Sequence, residues 1–257
     1  MKHYSNRRVS LLAAALMIPA GLTAQTRRPV IQGVIDTPGS YTLLSDIGVS
    51  PNRGPGILIT ASGVDLDLAG SNIVGPGGIQ GTGIHVRGVS GVAIRNGKLA
   101  NLAFGVIVEA SSNVTVRDCH FRGEGLAPSA PPPETAVMIM QSRNVIVENN
   151  AISNTGLGIF VRGGRSGGNK IANNTITAGL GTFAALGICY NPTAADPQAP
   201  KGDLIQGNFV SGYPTSIQMN ANSSANVIKG NTLVYGASAI DGLGSNVEMD
   251  NVKVKYP

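Results

Sequence analysis

The sequence has no tryptophan, few aromatics (4%), few charged residues (13%) and two cysteines. Its 35 glycines keep no strict three-residue period, which excludes collagen, and 42% apolar content excludes the polar bias of a disordered chain. No apolar run is long enough to span a bilayer; the run over 9–22 is too short and is interrupted by Pro19. No transmembrane segment is therefore expected. Helical periodicity is missing beyond the first 24 residues, so the chain should be all-β.

The formal charge of +5 includes Lys2, Arg7 and Arg8, which lie in the leader-like start. Without them 16 basic residues face 14 acidic ones, with no basic cluster, so no nucleic-acid partner is expected. A basic start, an apolar run and small residues at Thr23 and Ala24 predict a signal peptide over 1–24 and a secreted or periplasmic protein. Arg7-Arg8 resembles a twin-arginine signal, but Ser10 stands where that signal prefers an apolar residue, and both export routes stay open.

What is present is a repeat. One block reads Leu68-Ala69-Gly70-Ser71-Asn72-Ile73, then Ile94-Arg95-Asn96-Gly97-Lys98-Leu99, and returns from Val116, Val147, Ile171, Ile205 and Ile228, with a weaker eighth copy from Met249. A second block, Gly-Ile-x-Val or a variant, starts at Gly83, Gly105, Ala136, Gly158, Gly187, Ser216 and Ala239. Period-two alternation in these stretches means strands. Three short strands per repeat cannot bury an apolar face alone, but stacked copies can, with like positions forming inward columns of Val, Ile and Leu. Asn150, Asn174, Asn208 and Asn231 should form a column at a sharp turn, as an amide ladder that tolerates left-handed torsions, interrupted by Cys119 and Gly97. Cys119 and Cys189 fall in different strands more than one coil apart, which predicts free, buried thiols.

This pattern resembles the right-handed parallel β-helix repeat family, the scaffold of pectate lyases and many exported bacterial proteins. Pro38-Gly39-Ser40-Tyr41-Thr42-Leu43 and the segment from Ala61 to Gly70 resemble the N-terminal stretch of its bacterial members. The expected organisation is a signal peptide (1–24), an N-terminal cap segment (25–60) and an all-β, single-stranded right-handed parallel β-helix of about eight coils (61–257). The resemblance implies that glycans bind on the outer face of the Gly-Ile-x-Val strand, between walls formed by insertions. The two longest insertions, over 122–135 and 191–202, flank that strand and would either wall a groove or cover the face.

The outward residues of this strand read in two columns. The first is His85, Ile107, Met138, Phe160, Cys189, Gln218 and Asp241; the second is Arg87, Glu109, Met140, Arg162, Asn191, Asn220 and Leu243. The middle is apolar and the ends polar. His85, Met138, Phe160, Asn191, Gln218 and Asn220 are the candidate substrate-binding residues. Arg87, Glu109 and Arg162 are the candidate catalytic residues of a lyase, a chemistry that on this scaffold pairs a basic residue with carboxylates holding calcium. Against it, Glu109 stands nearly alone, and Arg87 beside Glu109 also reads as a surface ion pair. A glycosidase needs two facing carboxylates, and no such pair is found. The Asn-Thr-Asp, Asp-Asp and Gly-His-Gly series of polygalacturonases and the Asp-Pro-His-Asp block of alginate epimerases are missing as well; Asp196-Pro197-Gln198 does not match the latter. On another outer column Arg95 and Arg117 could grip an acidic glycan or simply be solvated charges. Met138, Met140 and Cys189 are soft ligands but lack a His partner, and no metal site is expected. A lone His120 reads as structural. The balance favours an exported protein that binds a polysaccharide or a cell-envelope partner without catalysis. A lyase or other carbohydrate-active enzyme acting on an acidic glycan, with calcium as its cofactor, is the alternative; otherwise no cofactor is expected.

Overall fold

The computed structural model describes residues 27–256 except 31, 52, 79, 125–133, 164, 180–185, 192–199 and 221. The expected signal peptide and most of both long insertions lie outside the described residues. The chain folds as an all-β right-handed parallel β-helix: all named strand pairs are parallel, and each joins a strand to its copy one coil away.

Each coil has three faces. The first is a ten-stranded sheet running from Arg28–Val30 and Gly39–Leu43 through Ser90–Arg95 and Ser112–Arg117 to Ser224–Lys229 and Ser245–Met249. The second stacks short strands, among them Asn72–Val74, Lys98–Ala100, His120–Arg122 and Ala151–Ser153. The third stacks Gly33–Ile35, Ile57–Ile59, Thr82–Arg87, Phe104–Glu109, Thr135–Met140, Leu157–Arg162 and Leu186–Asn191. Near the C-terminal end Phe209–Gln218 and Thr232–Asp241 bend continuously from the second face into the third, with register shifts around Tyr213. Strands of residues 28–59 already stack beneath the first sequence copy, so the first sheet holds two strands more than the eight copies suggest.

Inward positions make three apolar walls. Leu66, Ile94, Val116, Val147, Ile171, Ile205 and Ile228 line the first face; Ile73, Leu99, Phe121, Ile152, Ile176, Val210 and Leu233 the second; Ile84, Val106, Val137, Ile159, Ile188 and Ile217 the third. All are at most 2% exposed, and burying each such side chain is worth about 1.5–3 kcal/mol. The glycine that opens the third-face strand answers a close approach. A Cβ at Gly158 would lie 2.4 Å from the Gly187 carbonyl oxygen and 2.6 Å from Ile176 Cγ2.

The turns carry the polar order. Between the first and second faces Asn150 Nδ2 donates to Asn174 Oδ1 (3.0 Å), Asn174 to Asn208 (3.0 Å), Asn208 to Asn231 (2.9 Å) and Asn231 to Asn251 (2.8 Å). The ladder is present, but the left-handed torsions belong to the residue before each rung: Asn149, Asn173, Gly207, Gly230 and Asp250 have positive φ, whereas the rungs do not. Division of labour explains the doubled Asn-Asn: one amide tolerates the turn and the next bonds inward. Cys119 ends the ladder by donating only its backbone N–H to Asn150 Oδ1 (3.0 Å). Gly97 is required one coil earlier because Leu68 fills that place; a Cβ there would lie 2.3 Å from Leu68 Cδ1.

Two alignments of the repeat are corrected. Leu66, not Leu68, pairs with Ile94, and Leu68 lies in a wider turn. Glu248, not Met249, pairs with Ile228. A column of aliphatic side chains therefore ends in a carboxylate. The second-face column ends likewise, with Lys253 beside Leu233. The two charges meet, Lys253 Nζ to Glu248 Oε1 at 2.5 Å, as an ion pair.

A second ladder, not anticipated, runs between the third and first faces. Val145 N–H donates to Asn169 Oδ1 (2.9 Å), Asn169 N–H to Asp203 Oδ1 (2.8 Å), Asp203 N–H to Asn226 Oδ1 (2.8 Å) and Asn226 N–H to Asn246 Oδ1 (3.1 Å). Asp203 replaces an amide and accepts the Tyr190 hydroxyl at 3.0 Å. Burial, ahead of the opposing hydrogen bonds from Asn169 and Tyr190, raises its pKa. Both cysteines are free and buried, and burial pushes both thiols up to about 12.

Candidate functional site

The third face presents the two outward columns in the expected register. Leu58, His85, Ile107, Met138, Phe160, Cys189, Gln218 and Asp241 pair in sequence along the first. Arg87, Glu109, Met140, Arg162 and Asn191 pair along the second. The second column stops there. Asn220 lies beyond its strand, and its Oδ1 accepts the Asn222 N–H at 3.0 Å in a local turn.

At the N-terminal end of this face His85 Nε2 lies 2.9 Å from Glu109 Oε2, while Arg87 Nε is 3.8 Å from the same oxygen. His85, expected only as a binding residue, is thus the nearer partner of Glu109. Its direct neighbour in the column is Ile107, so the imidazole and the carboxylate meet diagonally across the two columns. Arg162 is separate from this group. Met140 intervenes between it and Glu109, a separation of two coils or about 10 Å. Arg162 is exposed and, among the described residues, has no ion-pair partner.

The middle of the face is Ile107, Met138, Phe160 and Cys189, with Met138 and Cys189 buried although they point outward. Cys189 Sγ donates to Gln218 Oε1 at 3.6 Å, and Gln218 Nε2 to Asp241 Oδ2 at 3.4 Å, forming the polar C-terminal end. Beside the face, at the corner leading to the first sheet, Gln141, Arg143 and Arg165 line a depression of about 270 Å³ with Ala110, Ser111 and Ser112. Arg95 and Arg117 are neighbours on the first face, as expected, but Arg95 pairs with Asp67 (2.8 Å) and Asp65 (3.3 Å), and Arg117 with Asp118 (2.7 Å). Those charges are already neutralised.

Calcium needs several convergent oxygens. Glu109 has Arg87 and Met140 as its column neighbours, and no group of three His, Cys, Asp or Glu gathers among the described residues. These residues do not fit a calcium ion. Nor does any helix among the described residues have the length and apolarity to cross a membrane.

The family described as right handed beta helix region matches residues 55–233. Among solved structures, the enzymatically active domain of tailspike protein 2 from bacteriophage CBA120 is similar at a TM-score of 0.62 and 13% identity, over 90% of this chain and 38% of that one. DFA-IIIase from Arthrobacter chlorophenolicus A6, in complex with DFA-III, gives 0.60 and 12%, over 79% and 50%. The Dettilon tailspike protein gives 0.53 and 14%, over 89% and 54%. The chain thus spans about half or less of each of these structures, and at such identities the likeness is one of fold. No curated protein sequence matches it.

Proposed function

The chain belongs to the right-handed β-helix family, and on that scaffold we propose that the third face binds an extended polysaccharide, free or on a cell envelope, without transforming it. The observation that carries this reading is the outward column itself. It is a straight row with His85 at one end, the Gln218–Asp241 pair at the other, and the half-buried Ile107 and Phe160 between. Such a surface offers hydrogen bonds at its ends and an apolar platform for the C–H faces of sugars in the middle. A tailspike and an enzyme captured with its ligand are built on similar folds, which supports a carbohydrate partner. Export, supported by the leader-like first 24 residues, would bring the face to its ligand.

Glycan-array screening followed by calorimetry tests the reading. Retention of at least one polysaccharide, weakened about tenfold or more by Phe160→Ala with the fold intact, is expected. Failure to retain any glycan, or unchanged affinity in Phe160→Ala, overturns it.

The second reading, a lyase acting on an acidic glycan, is favoured by one observation: His85, Arg87 and Glu109 meet around a single carboxylate oxygen. Here Arg87 or His85 would take the proton, and Glu109 would orient and charge-balance the base. Ultraviolet detection of unsaturated product from uronate polymers, with and without added calcium, decides between the two. Product formation that Glu109→Gln abolishes establishes the lyase.

A further inference from the structure

The second face carries a feature that the glycan reading does not use. Its outward residues form a grid: Asn72, Lys98, His120 and Ala151 in one column, and Val74, Ala100, Arg122 and Ser153 beside it. Small side chains at Ala100, Ala151 and Ser153 leave a floor, and the long side chains of Lys98, His120 and Arg122 stand around it. The result is a depression of about 330 Å³.

Lys98 and His120 are direct neighbours one coil apart, and Arg122 lies diagonally from Lys98. Their strand spacing is about 4.8 Å. Three basic side chains are thereby gathered on adjacent positions. All three are exposed, and among the described residues none makes an ion pair or a side-chain hydrogen bond. The nearby carboxylates are engaged elsewhere. Asp46 accepts the Asn72 N–H (2.7 Å) and Nδ2 (2.8 Å), which lower its pKa, with Lys98 contributing through space; Asp118 pairs with Arg117; Glu124 accepts the Gly78 N–H at 3.3 Å. Repulsion among like charges disfavours this arrangement unless an anion offsets it.

We propose that this depression is a binding site for a phosphate or sulfate group, free or as the ester of a sugar-sized molecule. A tetrahedral oxyanion offers oxygens in three directions at once, suiting an ammonium, a guanidinium fork and an imidazole N–H that line one depression from separate positions. A carboxylate has only two oxygens in one plane. Ser153 is not a further donor, because its hydroxyl already donates to the Phe121 carbonyl at 3.3 Å. The volume leaves room above Ala100 and Ala151 for a sugar ring. The site is on a different face from the proposed glycan surface and stands or falls independently of it.

The test is titration with inorganic phosphate and with sulfate at constant ionic strength, followed by amide chemical shifts and calorimetry. Saturable binding is expected, with shifts confined to the strands bearing Lys98, His120 and Arg122. The double variant Lys98→Gln/Arg122→Gln should weaken it about tenfold or more with an unchanged melting temperature, as befits exposed side chains, while Lys229→Gln on the first face leaves it intact. Glucose 6-phosphate and glucose 6-sulfate, each against the free ion, distinguish an ester ligand from the ion alone; either supports the site. Linear, unsaturable shifts, the same response to chloride, or full binding by the double variant overturns it.

Discussion

Replacing Asn174 by alanine should be among the most damaging changes that leave the hydrophobic core untouched. Asn174 is 1% exposed and serves both neighbouring rungs. Its Oδ1 accepts the Asn150 backbone N–H and Nδ2, each at 3.0 Å, and its Nδ2 donates to Asn208 Oδ1 (3.0 Å) and to the Val147 carbonyl (2.9 Å). Truncation strips the acceptor from two buried donors of Asn150. Asn208 Oδ1 keeps the Asn174 backbone N–H (3.0 Å), so the acceptor side suffers less. At about 1–3 kcal/mol for each stranded donor, the loss is about 2–6 kcal/mol, a large share of a typical total of about 5–15 kcal/mol. For a chain of this size that corresponds to a fall in Tm of roughly 4–24 °C. Asn251→Ala provides the contrast. It removes the same acceptor from Asn231 (2.9 Å to N–H, 2.8 Å to Nδ2), but at a half-buried terminal rung where water can substitute, so about 1 kcal/mol or less is expected. Urea unfolding followed by far-ultraviolet circular dichroism measures both. Equal costs for the two variants, or less than about 1 kcal/mol for Asn174→Ala, would refute the claim that buried rungs hold the corner.

Three further outcomes are expected. Asp203 has a raised pKa from burial, so its folded form holds its proton more tightly; the stability it contributes is complete below the unfolded carboxylate range, near 3.9, and is lost as pH rises through the raised folded value. Melting curves across that acid-to-neutral interval should therefore show Asp203→Asn gaining on the native chain with rising pH; a constant difference contradicts this. Lys253→Ala, breaking an ion pair whose side chains are 38% and 24% exposed, should cost at most about 1 kcal/mol in urea unfolding, and a larger loss contradicts a solvent-screened pair. Gly158→Ala, whose Cβ meets a carbonyl oxygen at 2.4 Å, should cost about 1–3 kcal/mol or more, and hydrogen exchange should localise the damage to the corner between the second and third faces.

The architecture and the facing of most strand residues were legible in the repeat. Parallel stacking without offset places like on like, so repeated Ile-x-Val text is enough to derive the His85–Phe160 column, and repeated Asn is enough to derive a ladder through Asn231. The repeat did not determine what happens where coils differ in length. The second ladder links residues 34, 23 and 20 positions apart, and an aspartate among its rungs hides it further. The slip from Leu68 to Leu66 and from Met249 to Glu248 arises in turns whose extra residues no strand pattern counts, and the second of these concealed the Glu248–Lys253 ion pair. Side-chain partnership was likewise decided only in three dimensions. His85 reaches Glu109 across two columns, while His120, which reads as structural in the chain, stands beside Lys98 and Arg122 around a depression that exists because Ala100, Ala151 and Ser153 are small. Periodicity encodes which way a residue points; what it meets depends on the lengths and volumes of the coils above and below.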